Sequence, residues 1–90
     1  NIMENIEIFR KKLLYKASHR GTKEMDILMG NFADKFIQLF DDHELSLLDI
    51  LLDQDDDHIY KIILKKTPIP ENIDNRVTKL LIDFANTINE

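Results

Sequence analysis

The chain contains no cysteine and no tryptophan, and only two glycines and two prolines. Without cysteine there are no disulfides, no thiolate nucleophile, no Cys-ligated zinc and no iron–sulfur cluster, a composition that suits a reducing compartment. No stretch approaches the 18 or so uninterrupted apolar residues that a membrane span needs, so direct membrane insertion is not expected. The opening residues Asn1, Ile2, Met3, Glu4 and Asn5 lack the basic, apolar, small-residue order of a secretory signal. A chain that opens on Asn1 is read as a processed or trimmed terminus. The expected location is a bacterial cytoplasm, or a mitochondrial matrix if a transit peptide has been removed.

What is present is a 90-residue, acidic chain with 12 Lys+Arg against 17 Asp+Glu and a formal net charge of −5. A hydrophobic fraction of 43% is ordinary for a folded domain. A chain this short buries only about 60 to 65% of its unfolded surface, which allows one modest core and no enclosed cofactor chamber. Residues 1–90 are therefore expected to form a single domain that acts on its surface, with no cofactor held stably, and to be a monomer when free.

The charges fall in blocks. From Arg10 to Lys23 there are six Lys or Arg (Arg10, Lys11, Lys12, Lys16, Arg20, Lys23) and no acid, whereas from Glu24 to Asp57 eleven acids face Lys35 alone. Such an arrangement makes an electrostatic dipole able to steer a complementary partner, although charge runs more often are simply solvated helix faces.

Apolar residues recur at helical spacing and no period-two strand pattern is present. Ile2, Ile6, Phe9 and Leu13 form the stripe of a first helix; Leu28, Phe32, Phe36, Leu39 and Phe40 that of a second. Asp41 and Asp42 suit the start of a third, with Glu44 in capping-box spacing from Asp41 and Leu45, Leu48 and Leu52 as its stripe. The acids Asp53, Asp55, Asp56 and Asp57 precede a fourth containing Ile59, Tyr60, Ile62, Ile63 and Leu64, with Lys65 and Lys66 at its cation-favouring end. Thr67, Pro68, Ile69 and Pro70 break it. Pro70 suits the first turn of a fifth helix whose stripe is Ile73, Val77, Leu80, Leu81, Phe84 and Ile88, running to about the last residue. Short connections make the expected fold an all-α, compact five-helix bundle.

Few constellations promise chemistry. Asp53, Asp55 and Asp57 match the first liganding positions of a calcium loop, but His58 stands where that loop needs glycine and Leu64 where it needs glutamate. Helix capping accounts for the same acids. His19, His43 and His58 have no metal-binding spacing. Ser18 beside His19 is accompanied by no nucleophile elbow and no phosphate-binding glycine loop, so no catalytic residue is assigned and the chain is not expected to be an enzyme.

The informative segment is the junction Ser18, His19, Arg20, Gly21, Thr22, Lys23, Glu24. Gly21 at a helix end is most simply a C′ residue of positive φ. Its flank adds an arginine able to form a bidentate pair with a carboxylate or phosphate, at an exposed corner suited to close approach by a partner. Gly30, inside the second helix, costs about 1 kcal/mol relative to alanine, which close approach of a neighbouring helix would explain.

The run from Lys11 to Asp34, KKLLYKASHRGTKEMDILMGNFAD, resembles the SdhE-type flavinylation factors, small assembly factors of succinate dehydrogenase. Their RGxxE signature is met by Arg20, Gly21 and Glu24, with Asp26 in the acidic position common in bacterial members and Lys11 to Tyr15 as the KxLLY stretch. The likeness continues through Asp53 to Tyr60 and the break at Pro68 to Pro70, and departs where Ile62 stands at a position often held by tryptophan. It implies a five-helix bundle that docks on the flavoprotein subunit of succinate dehydrogenase, and in many members on that of fumarate reductase, and promotes covalent attachment of FAD. The flavin belongs to the client. Arg20, Gly21, Glu24 and Asp26 would be the partner-binding residues, supported by a basic surface of Arg10, Lys11, Lys12, His19 and Lys23.

Two other readings are weaker. A nucleic-acid-binding helical domain would need a basic recognition helix, whereas the second helix is acidic and apolar and the net charge is negative, so no nucleic-acid partner is expected. A helical adaptor for another partner shares every compositional feature and is separated only by the RGxxE match.

Overall fold

The computed structural model describes the backbone of residues 2–88 and the side chains of residues 5–87; the expected inward positions of Ile2 and Ile88 lie outside the described side chains. Five helices follow in order: α1 (Ile2–Ser18), α2 (Lys23–Phe36), α3 (Asp42–Leu52), α4 (Asp56–Ile63) and α5 (Arg76–Ile88). Short 3-10 turns occupy Ile37–Leu39 and Glu71–Ile73, and no strand occurs among the described residues. The all-α five-helix bundle expected from the periodicity is what forms.

α1 packs along α2 and crosses α3, placing Leu13 and Ala17 in the core. The approach is close: a Cβ built on Gly30 would stand 3.1 Å from Cβ of Ser18, so the second glycine gives room for the neighbouring helix as its position suggested. α5 lies against α3 and α4 and also touches α2. Phe32, Phe36 and Phe84 join α2 to α5, with ring centroids 5.1 Å apart for Phe32–Phe36 and 5.7 Å for Phe32–Phe84.

Local chemistry explains most boundaries. Asp41 and Glu44 form the expected capping box, Glu44 N donating to Asp41 Oδ1 at 2.8 Å and Asp41 N to Glu44 Oε1 at 3.4 Å. Asp55 caps α4 by accepting from His58 N at 2.8 Å.

Three boundaries differ from the periodicity reading. The second stripe does not run on to Leu39: α2 stops at Phe36, and the 3-10 turn advances each side chain by a wider angle. Ile37 therefore turns inward and Leu39 is 74% exposed. α4 ends before the Thr67–Pro70 break, through Lys65 N donating to Ile62 O at 3.0 Å and Lys66 N to Lys61 O at 2.9 Å, with Lys65 in the left-handed region at φ 60°. Pro70 leads into the 3-10 turn rather than into α5, which starts at Arg76, where Asn75 Oδ1 accepts from Val77 N at 3.0 Å. Ile62, at the position where relatives were expected to carry tryptophan, is buried in the core.

Candidate functional site

The α1–α2 corner is built by short-range polar bonds. Asp26, in the first turn of α2, turns its carboxylate back so that Oδ1 accepts from Arg20 N and from Gly21 N, the latter at 3.2 Å. Thr22 caps α2 by accepting from Met25 N at 3.3 Å. Gly21 sits at φ 117°, a conformation that disfavours any side chain, although an added Cβ would meet nothing within 4 Å. Its requirement is thus a backbone one. Gly21 has the positive φ of the C′ reading, but it stands three residues past Ser18, the end of α1, and its amide goes to the Asp26 carboxylate instead of back to an α1 carbonyl.

Arg20 does not offer its guanidinium outward. The side chain is 8% exposed, and each nitrogen of the fork has an internal acceptor: Nε donates to Asp56 Oδ1 at 2.9 Å, Nη1 to Leu52 O at 2.7 Å and Nη2 to Gln54 O at 2.7 Å. These carbonyls belong to the end of α3 and the turn after it, where helix geometry leaves acceptors without partners and the macrodipole favours a cation. The expected bidentate contact with an outside anion is therefore corrected: the planar fork is filled from within.

Arg10 behaves in the same way. Nε donates to Ile37 O at 3.1 Å and Nη2 to Phe40 O at 2.9 Å, while Nη1 donates to Glu7 at 2.7 Å. It closes the carbonyl end of the α2 segment and is not part of an open basic surface. Lys16 reaches across to α3, 2.9 Å from Asp49 Oδ1 and also bonded to Asp53. Burial opposes its charge, but the hydrogen bonds and charges of Asp53 and Asp49 outweigh that and raise its pKa above the usual 10.5.

The two charge blocks thus meet at two basic residues, Lys16 and Arg20, which pair with acids of α3 and the start of α4. Asp53 takes Lys16, Asp56 takes Arg20, Asp57 pairs with Lys61 at 3.0 Å and Asp55 caps α4. Among the described residues no group of three or more His, Cys, Asp or Glu converges to hold a metal ion.

What remains outward is smaller than the sequence suggested. Glu24, Lys11, Lys12, Lys23 and His19 are exposed. His19 stacks on Tyr15 with ring centroids 3.9 Å apart and interplanar angle 16°, and its Nδ1 lies 2.9 Å from the Tyr15 carbonyl. Since a carbonyl only accepts, Nδ1 is the donor in that contact. Arg20 and Asp26 are brought together, and Glu24 stands on the outer side of the same first turn. The sequence reading missed Asp56 as partner of Arg20. The available signal was spacing: Lys16 and Arg20 are four residues apart on α1 and its end, and Asp49, Asp53 and Asp56 are four and three apart.

The α1–α2 corner is thus a loop held by internal hydrogen bonds on a small helical bundle, with Glu24, Lys23 and His19 on its outer side. A family model described as flavinator of succinate dehydrogenase matches residues 11–85, and the chain belongs to that family. It is 41% identical over 81 residues to succinate dehydrogenase assembly factor 2, mitochondrial, of Dictyostelium discoideum, covering 90% of this chain and 57% of that protein. To the protein of the same description from Scheffersomyces stipitis it is 38% identical, covering 91% of this chain and 58% of the relative. A bacterial relative, FAD assembly factor SdhE of Acetobacter pasteurianus, is 31% identical over 76% of this chain and 62% of its own length. These names describe assembly factors, not catalysts, in both mitochondria and bacteria. The chain spans about three fifths of the length of these relatives. No helix among the described residues is long and apolar enough to cross a membrane.

Proposed function

We propose that this chain binds the flavoprotein subunit of succinate dehydrogenase and promotes covalent attachment of FAD to it, acting as a binding partner while the flavin stays with the client. The observation that carries this reading is the family match over residues 11–85, which includes the Arg20–Gly21–Glu24 corner. The corner's construction supports it: Asp26 and Arg20 lock the loop from both sides, so it meets a client already ordered and loses little conformational entropy on docking. Glu24 carries the outward side chain of the signature, and the open space over the exposed Gly21 admits close approach of a client's backbone. Arg20 and Asp26 act on the client through the loop they hold.

The test is in-gel fluorescence of denatured succinate dehydrogenase flavoprotein subunit, made in cells lacking their own assembly factor, with and without this chain. A covalent-flavin band that requires the chain is the expected result. Unchanged fluorescence, together with failure of the two proteins to co-purify, overturns the reading and leaves a helical adaptor of another partner. The flavoprotein of fumarate reductase, run in parallel, decides whether the client range is wider.

A further inference from the structure

Arg20 does more than hold its own loop. Because its amide is bonded to α2 through Asp26 and its guanidinium to Asp56 and to the turn before α4, it fixes the N-terminal ends of α2 and α4 beside one another. Between those ends runs an open groove of about 570 Å³. Met25 and Leu28 line its apolar part, while Ile27 and Tyr60 flank it, each 52% exposed. Glu24 and Asp57, both exposed, stand on its rim, Asp57 in a solvent-exposed pair with Lys61 at 3.0 Å that an incoming cation can share. Large apolar side chains left half in water on facing helices, within an acidic margin, complement a segment that carries an apolar anchor next to Lys or Arg.

We infer that the α2–α4 groove takes an apolar-plus-cationic segment of the flavoprotein client, and that the exposed basic face of α1 around Lys11 and Lys12 is not the docking surface. This rests on the function proposed above and names the chemistry of its contact. Charge complementarity selects the occupant: an acidic rim rejects an anionic segment and attracts a cationic one. Preorganisation selects the groove, because both walls are tied by a buried three-pronged arginine. In the α1 groove, by contrast, the inner cation Lys16 is already engaged by Asp49 and Asp53. Arg20 is here a positioning residue, and Glu24, Asp57, Ile27 and Tyr60 are the groups that touch the client.

The experiment is calorimetric binding of the purified flavoprotein subunit to the full chain and to three double variants: Glu24→Lys with Asp57→Lys, Ile27→Ser with Tyr60→Ser, and Lys11→Glu with Lys12→Glu. All six positions are exposed, and thermal melts verify that each variant folds. Both groove variants are expected to weaken binding at least about tenfold, with the acidic-rim variant also losing the salt dependence of the wild type. The α1 variant is expected to bind within about twofold of wild type, as exposed charges away from a contact do. Wild-type affinity in the groove variants overturns the inference and leaves the proposed function standing. Loss confined to the Lys11/Lys12 variant overturns it in favour of the α1 face. Absence of binding by the wild type removes the flavoprotein as client and the inference with it.

Discussion

Nε of Arg20 donates to Oδ1 of Asp56 across 2.9 Å, joining the α1–α2 corner to the first turn of α4 over 36 residues of sequence. With Nη1 and Nη2 on the carbonyls of Leu52 and Gln54, one side chain closes the carbonyl end of α3 and anchors the start of α4. The signature arginine is in this chain a part of the fold.

Loss of this fork is therefore a stability change. Arg20→Met leaves the Asp56 carboxylate and two carbonyls without their donor and is expected to cost about 2 to 3 kcal/mol. For a domain of this size that lowers the thermal midpoint by roughly 10 °C or more, read by far-ultraviolet circular dichroism. Arg20→Lys keeps the charge but cannot serve three acceptors in a plane and falls between the two. A melt of Arg20→Met that overlays the wild type contradicts the internal role.

Gly21 and Gly30 are needed for different reasons. Gly21→Ala is expected to lose about 1 to 2 kcal/mol from its φ of 117° alone, since the added Cβ meets nothing. Gly21→Arg carries the same backbone strain and is expected to melt below the wild type. Gly30→Leu instead forces α1 and α2 apart at Ser18 and is expected to cost about 1 to 3 kcal/mol. Urea unfolding of each variant checks both values; a neutral Gly21→Ala contradicts the backbone account.

Thr78 is fully buried on α5 and its Oγ1 has no hydrogen-bond partner among the described residues. A buried hydroxyl left unpaired costs free energy that a methyl of similar shape does not. Thr78→Val is expected to raise stability by about 1 kcal/mol, and a destabilised variant shows that the hydroxyl is bonded in solution.

Lys16 gives a pH signature. Because its pKa in the folded chain is raised above 10.5, its contribution to stability is fully present below that value and is lost as pH climbs through the raised folded pKa. The group is partly exposed, so Lys16→Met is expected to cost under about 1 kcal/mol at neutral pH. Denaturant unfolding at neutral pH and on the alkaline side of the transition should show the gap between variant and wild type closing. A gap that is constant with pH shows that the loss is one of packing.

Features set by near neighbours were legible in the sequence. The Asp41–Glu44 box lies within one turn, Ile73, Val77 and Leu81 of the fifth stripe repeat every four residues, and Gly30 marked a place inside α2 where α1 comes close. The corner from Ser18 to Glu24 was legible as a motif for the same reason. The direction of its arginine was not, because that depends on acceptors more than 30 residues away, as does Arg10 with Ile37 and Phe40. A basic block followed by an acidic one reads as a dipole when taken along the chain. Folding brings Lys16 and Arg20 against Asp49, Asp53 and Asp56, so two of the six cations of the basic block are paired with the acidic one inside the molecule. Leu39 was misplaced because a three-residue 3-10 turn shifts the angular register without altering the composition.

The most direct measurement is reconstitution from purified parts: flavoprotein subunit free of covalent flavin, FAD, and this chain at rising concentration, with covalent flavin followed by fluorescence of the denatured protein over time. The expected result is a rate that rises with the chain and saturates, with Glu24→Ala folding like the wild type but failing to raise it. A rate independent of the chain at every concentration contradicts the proposed role in flavinylation.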